Sequence, residues 1–312
     1  MHVVSASRRT DIPAFHSRWF MERVREGNAV VRAPFGGKLF NVSLVPADVI
    51  AIVFWTKNAD PLLQCLDELI ERGYCFTFLY TINNYPAFLE PNVPSLTHTM
   101  RVVENLAKIR TTSIVRWRYD TIVMSDQLSR AWHLDNFREL CRLLAPHSRE
   151  CIFSFCDYYK KTIRNMDRSV PGYRNPHTEE CIELSTDLAE IAREWGIEMK
   201  SCAHDFLVSG NITKAKCIDP AHLASIIESD TKLSALQNLK KTPTREDCGC
   251  IASKDIGAYD TCGHGCAYCY ANANPERALY NLNRIRHDYP CLDPNISERL
   301  GPAAITSASI RA

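Results

Sequence analysis

Short runs of β-branched and aromatic residues alternate along this chain with longer stretches in which apolar residues recur every three or four positions. The runs predict strands at His2 to Ser7, Val49 to Trp55, Cys75 to Thr81, Ser113 to Arg118, Cys151 to Cys156 and Glu198 to Cys202. Between them the helical period predicts helices over Ser17 to Glu26, Asp60 to Arg72, Leu96 to Ile109, Leu134 to Leu144 and Thr178 to Trp195. The second of these carries its own punctuation, with Asp60 as cap, Pro61 in the first turn and Gly73 as the stop. Such alternation predicts βα units around a parallel sheet. Arg32 to Leu44, with Gly36-Gly37 between extended runs, reads as a hairpin inserted before the second strand. Proline-containing loops at 83–95 and 157–177 are long enough to close over a site. Lys254 to Asp260 reads as one more strand. Asn274 to Arg286 follows as a helix with Leu279, Leu282 and Ile285 on one face, and 290–312 reads as irregular.

The chain has 312 residues and 46% hydrophobic content, enough for one sizeable core. Its 37 basic and 36 acidic residues leave a net charge of +1, so no global field draws nucleic acid or an anionic membrane. Charges at Arg8, Arg9 and Asp11 interrupt any signal-peptide core, and no run of about 18 apolar residues occurs. The expectation is a cytoplasmic protein with no membrane partner. In that reducing compartment its 14 cysteines are expected to be metal ligands and buried small hydrophobes, not disulfides.

Three of them, Cys262, Cys266 and Cys269, have the spacing C-x3-C-x2-C inside Asp260-Thr-Cys-Gly-His-Gly-Cys-Ala-Tyr-Cys-Tyr270. Three thiolates so spaced can hold three corners of a 4Fe-4S cluster while the fourth iron stays open, and an open position marks a reactive site. Gly263 and Gly265 let the loop wrap closely, and the aromatic Tyr268 precedes the third cysteine. A surface zinc knuckle is the plainer alternative, although no second C-x2-C or H-x3-H pair follows. His264 lies inside the loop without an assigned role.

This loop is similar to the C-x3-C-x-aromatic-C hallmark of the radical SAM superfamily. The resemblance implies a cluster whose unique iron binds S-adenosylmethionine, and a strongly reducing electron from a donor such as flavodoxin or ferredoxin. It implies a 5'-deoxyadenosyl radical that abstracts hydrogen from a substrate, which the sequence leaves open. In that superfamily the loop follows the first barrel strand near the N-terminus, whereas here it lies near the C-terminus. Val3 to Pro13 resembles, in position, the strand and turn that receive the methionyl group. The implied fold is therefore α/β, a circularly permuted partial (β/α)6-type barrel in a single 1–312 domain. Residues 251–289 would form the first unit, 1–205 the second unit onward, 206–250 an auxiliary metal-site segment and 290–312 a tail. The chain also resembles a domain family known for a C-terminal radical-SAM-like cysteine cluster, through Ser5 to Phe15, Phe54 to Asn58, Trp117 to Asp120 and the cysteine loop. The strand at 254–260 should then lie beside that at 2–7, with the cysteine loop facing Arg8 to Asp11.

Reading each strand to its end gathers polar residues on one rim: Ser7 to Asp11, Thr56 to Asn58, Arg118 to Asp120, Asp157, and His204 with Asp205. Ser7, Arg8, Arg9, Thr10, Asp11 and Tyr268 are the expected cofactor-binding residues, Asp11 accepting from the cofactor ammonium and Arg8 or Arg9 pairing with its carboxylate. Lys57, for an anionic substrate group, and Arg118 with Asp120, as a pair lining the site, are the expected catalytic residues. A structural ion pair is the alternative for Arg118 and Asp120. Cys202, Cys217, Cys248 and Cys250 are expected to form a second site, an auxiliary iron-sulfur cluster or a tetrahedral zinc, with free structural thiols as the third possibility. Cys65, Cys75, Cys141, Cys151, Cys156, Cys181 and Cys291 read as buried hydrophobes. The rival classes are a zinc or iron-sulfur module that binds nucleic acid and an electron carrier without radical chemistry; the charge balance speaks against the first.

Overall fold

The computed structural model describes residues 1–33, 37–109, 114–242 and 245–301. Its strands are β1 (His2–Ala6), β2 (Asn28–Arg32), β3 (Leu39–Ser43), β4 (Val49–Thr56), β5 (Phe76–Thr81), β6 (Val115–Ile122), β7 (Glu150–Phe155), β8 (Glu198–Ser201), β9 (Ile212–Lys214) and β10 (Ser253–Asp255). Eight of them form one parallel sheet in the order β10-β1-β4-β5-β6-β7-β8-β9, while β2 and β3 pair antiparallel as a separate hairpin. From β1 onward the sheet adds strands in chain order, and β10 returns to the far side of β1. Among the described residues β9 and β10 are its two edges, so the sheet is open and not a closed barrel.

Right-handed crossovers that all step the same way place their helices on one face. Side-chain alternation then splits each strand between two cores. Phe76, Phe78 and Tyr80 join Phe54 and Trp117 in the core under the helices Ser17–Glu26, Leu96–Ile109, Arg130–Leu144 and Thr178–Glu194. Ile50, Val53, Leu79 and Ile152 face the other way, against Cys217, Ile218, Leu223, Leu236 and Ile251. The segment after β9, including the helices Pro220–Ile226 and Asp230–Gln237, thus fills the face that the crossover helices leave bare. Beneath it Arg116 donates to Glu150, whose second oxygen lies 2.7 Å from Lys200.

Several expectations are corrected by local chemistry. The 60–72 helix is broken into Asp60–Leu63 and Leu66–Glu71, and Asp60 does not cap it: Asn58 Oδ1 accepts the Asp60 N–H instead. Gly73 follows with φ +79°, the left-handed stop. The hairpin begins at Asn28, earlier than expected, and Gly36 lies outside the described residues, as does Ser113. The 157–177 loop contains the helix Lys160–Ser169. The strand expected at 254–260 is confined to Ser253–Asp255, and the following helix ends at Leu282 with Leu279 exposed and Ala278 and Asn281 buried. The tail is not irregular throughout, because Asp293 caps a helix over Pro294–Leu300; residues 302–312 lie outside the described residues. Cys75, Cys141, Cys151, Cys156, Cys181 and Cys291 are buried, and Cys65 is partly so.

Candidate functional site

Two carboxylates join the chain's first strand to its last. Asp255, at the end of β10, accepts from Ser5 Oγ (2.8 Å), Ser7 Oγ (2.8 Å), the Arg8 N–H (2.7 Å) and Arg9 Nε (3.0 Å). Burial alone would raise this carboxyl, but Arg9 and the Arg8 N–H outweigh burial and hold it below the usual range. A Cβ on Gly257 would stand 2.0 Å from Ser7 Oγ, so glycine is required for this approach. β10 and β1 pair in parallel with Ser5 opposite Asp255, the adjacency expected from the sequence.

Asp11 makes the second junction. Its Oδ1 accepts from Thr56 Oγ1 (2.8 Å) and the Ala14 N–H (3.0 Å), and its Oδ2 accepts from the Lys57 N–H (2.7 Å) and contacts His264 Nε2 (2.8 Å). Both oxygens are therefore filled by the protein itself, and the carboxylate holds the cysteine loop to the ends of β1 and β4. The 83–95 loop clamps the other side: Asn92 Nδ2 donates to the Gly263 carbonyl (2.9 Å) and the Ala267 N–H donates to the Leu89 carbonyl (3.0 Å). A Cβ at Gly263 would meet the Phe15 ring at 2.7 Å, so the loop lies flush against the 12–15 turn.

A cavity of about 170 Å³ opens at the strand ends, lined by Cys262, Cys266 and Cys269 together with Ser7, Arg8, Thr10, Asp11, Lys57, Arg118, Asp120 and Tyr268. Arg9 is not in this lining; its guanidinium is spent on Asp255 and on the Arg32 carbonyl. Tyr119 packs in the core against His133, and Asp205 pairs with Lys214 at 2.5 Å. Arg118 Nη2 and Asp120 Oδ2 are 2.5 Å apart, the expected pair, and Ser154 also donates to Asp120. Arg8 and Arg118 each stack on Trp55 at 4.9 Å, with both guanidinium groups on the lining.

Lys57 is not a free cation. Its Nζ lies 2.8 Å from Glu90 Oε1, which also accepts from Asn83 Nδ2 (3.0 Å) and from the Tyr268 hydroxyl. Burial would lower the Lys57 ammonium and raise the Glu90 carboxyl, but their mutual attraction moves both the other way. Glu90, Asn92, Trp55, Asp255 and Arg245 were not singled out from the sequence. The proline-containing 83–95 loop was the only available pointer to Glu90 and Asn92.

The three loop thiols suit a thiolate-bound metal group. They line one cavity, and as thiolates they would repel one another across it, Cys266 from both Cys262 and Cys269. Burial pushes all three thiols up, so their thiolate forms call for a cation, and Lys57 is already beside Cys266. The four cysteines expected in a second group also meet. Cys202 and Cys217 have Sγ atoms 3.6 Å apart, Cys250 Sγ accepts from the Ile218 N–H next to Cys217 at 3.4 Å, and Cys248 packs in the same cluster. Among the described residues no group of three or more Cys, His, Asp or Glu side chains is placed to hold a metal ion as it stands. No helix there is long and apolar enough to cross a membrane.

The family described as "Domain of unknown function (DUF1848)" matches residues 3–271, from β1 to just beyond the last loop cysteine. The chain belongs to this family. No curated protein matches it. Among solved structures, a dihydropyrimidinase from Brevibacillus agri is similar at 12% identity over 67% of this chain and 55% of that one, with a TM-score of 0.25. The chain spans just over half the length of that enzyme.

Proposed function

We propose that this chain is a radical SAM enzyme on a circularly permuted partial (β/α) barrel, with Cys262, Cys266 and Cys269 holding a 4Fe-4S cluster. The observation that carries the reading is the shared cavity: the three loop cysteines and the ends of β1, β4 and β6 line one space. When bound, the cluster would supply one electron to S-adenosylmethionine and so generate the 5'-deoxyadenosyl radical for hydrogen abstraction. The permutation accounts for the strand order, because a barrel cut between its first and second units starts at β1 and ends at β10.

The remaining work falls to this chain's own side chains, since the cofactor carries the hard chemistry and the protein supplies orientation and electrostatics. Asp11 and His264 position the loop. Lys57, held by Glu90, lies over the Tyr268 ring at 5.6 Å and offsets thiolate charge near Cys266. Arg8 and Arg118 offer guanidinium groups to the carboxylate of the cofactor or of a substrate. The 83–95 loop, packed against the cysteine loop through Leu89 and Asn92, shields it from water and dioxygen.

The test is anaerobic reconstitution with iron and sulfide, followed by S-adenosylmethionine and dithionite, with 5'-deoxyadenosine measured. The wild type should form it, and replacing all three loop cysteines by Ala should abolish it. No product from wild type where a known enzyme is active, or undiminished product from the variant, overturns the reading.

A further inference from the structure

We propose that Cys202, Cys217, Cys248 and Cys250 form a second, separate site that binds a single tetrahedral zinc ion. The four come from three places in the chain: just after β8, the turn after β9, and the C-x-C ahead of β10. Folding nonetheless packs all four into one group, with the Cys202 and Cys217 Sγ atoms 3.6 Å apart and Cys250 Sγ on the N–H of Ile218. A tetrahedron with metal–sulfur bonds of about 2.3 Å has edges of about 3.8 Å. The Cys202 to Cys217 separation of 3.6 Å fits such an edge. A cubane spreads its four thiolates over the corners of a larger body, so this spacing favours one ion over the auxiliary cluster that the sequence had also allowed.

The backbone is built around the thiols. Gly249, between the two cysteines of the C-x-C, sits so close to the 215–216 segment that a Cβ would stand 2.9 Å from Lys216 Cγ and 3.2 Å from the Ala215 carbonyl oxygen. This close seat brings the C-x-C onto Cys217. The Ile218 N–H then donates to Cys250 Sγ at 3.4 Å, the kind of outer hydrogen bond that orients a thiolate ligand. Arg116 Nη1 fixes the turn by donating to the Lys216 (3.1 Å) and Cys217 (2.8 Å) carbonyls. Cys217 and Cys250 are buried, whereas Cys202 and Cys248 are partly exposed and are the side chains that would swing in to close the site.

Binding balances simply. Four thiols release four protons to solvent, and the resulting four-thiolate zinc carries two net negative charges. With four protein ligands the position is closed, so the ion is structural. It would staple the 206–250 segment to the sheet face that this segment fills.

The site is independent of the radical reading, and its test separates the two. Metal content is measured on purified, unreconstituted wild type, on Cys217→Ser and Cys250→Ser, and on the triple Cys262→Ala, Cys266→Ala, Cys269→Ala variant. Wild type and the triple variant should each hold about one zinc per chain, and the two serine variants less than about a tenth of that. Should the serine variants not fold, cobalt exchanged into the wild type gives the same answer, through a thiolate-to-cobalt charge-transfer band and intense tetrahedral d–d bands. Iron with labile sulfide retained in the triple variant overturns the proposal in favour of a second cluster. A Cys202 to Cys217 disulfide, or four free thiols without metal, overturns it outright.

Discussion

His264 Nε2 lies 2.8 Å from Asp11 Oδ2, a contact that spans 253 residues of sequence. Because the other oxygen of Asp11 is held by Thr56 and Ala14, the carboxylate transmits the position of two strand ends to the cysteine loop. Asp11→Ala should therefore weaken iron retention after reconstitution by about tenfold or more, the usual effect of losing an outer-shell partner. Asp11→Asn, which keeps one acceptor oxygen, should lose less. Iron per chain after desalting measures both.

Glu90 is buried, Lys57 is largely so, and each is the other's counter-charge. Lys57→Met leaves an uncompensated carboxylate and should destabilise the protein by about 3–5 kcal/mol in urea unfolding. Adding Glu90→Gln should recover much of that loss. A single variant that matches the double would show that the pair is not coupled.

Acid should unfold the protein partly through Glu150. Burial alone would raise its carboxyl, but Arg116 and Lys200 lower it from 4.5 to about 2. A depressed pKa contributes stability that is fully present above about pH 4.5 and is lost as the pH falls toward 2, here about 3 kcal/mol. Glu150→Gln should be less stable at pH 6 and should show a smaller fall in its urea midpoint between pH 6 and pH 3 than wild type does.

Gly257→Ala places a methyl group where Ser7 Oγ already stands. Overpacking of this kind costs about 1–3 kcal/mol. The midpoint of thermal unfolding should fall by several degrees, and an unchanged midpoint would mean that Ser7 moves aside freely.

Much of the sheet was legible because strand and helix periods differ and because the caps and stops are local. The neighbourhood of β10 and β1 followed from reading the cysteine loop as a displaced first unit, and the parallel register of Ser5 with Asp255 bears that adjacency out. What could not be read was the use made of each polar rim residue. Asp11, expected to await a ligand, is consumed by Thr56, Lys57, Ala14 and His264; Arg9 is consumed by Asp255. Partners so distant in sequence leave no local pattern. Leu279 misled for the opposite reason, since a helical period marks a face but not whether anything packs on it.

The placement of β10 beside β1 also sets an order of events during synthesis. The cysteine loop can reach Asp11 only after residue 264 has left the ribosome, whereas β1 and β4 are available some two hundred residues earlier. Until then one side of β1 is an unpaired strand edge, the kind of surface that invites pairing with another chain. The strand that completes this edge is also the one that delivers the loop thiols, so a nascent chain has no assembled cysteine-lined cavity until then. Sheet completion and closure of the cysteine-lined cavity arrive in the same late step.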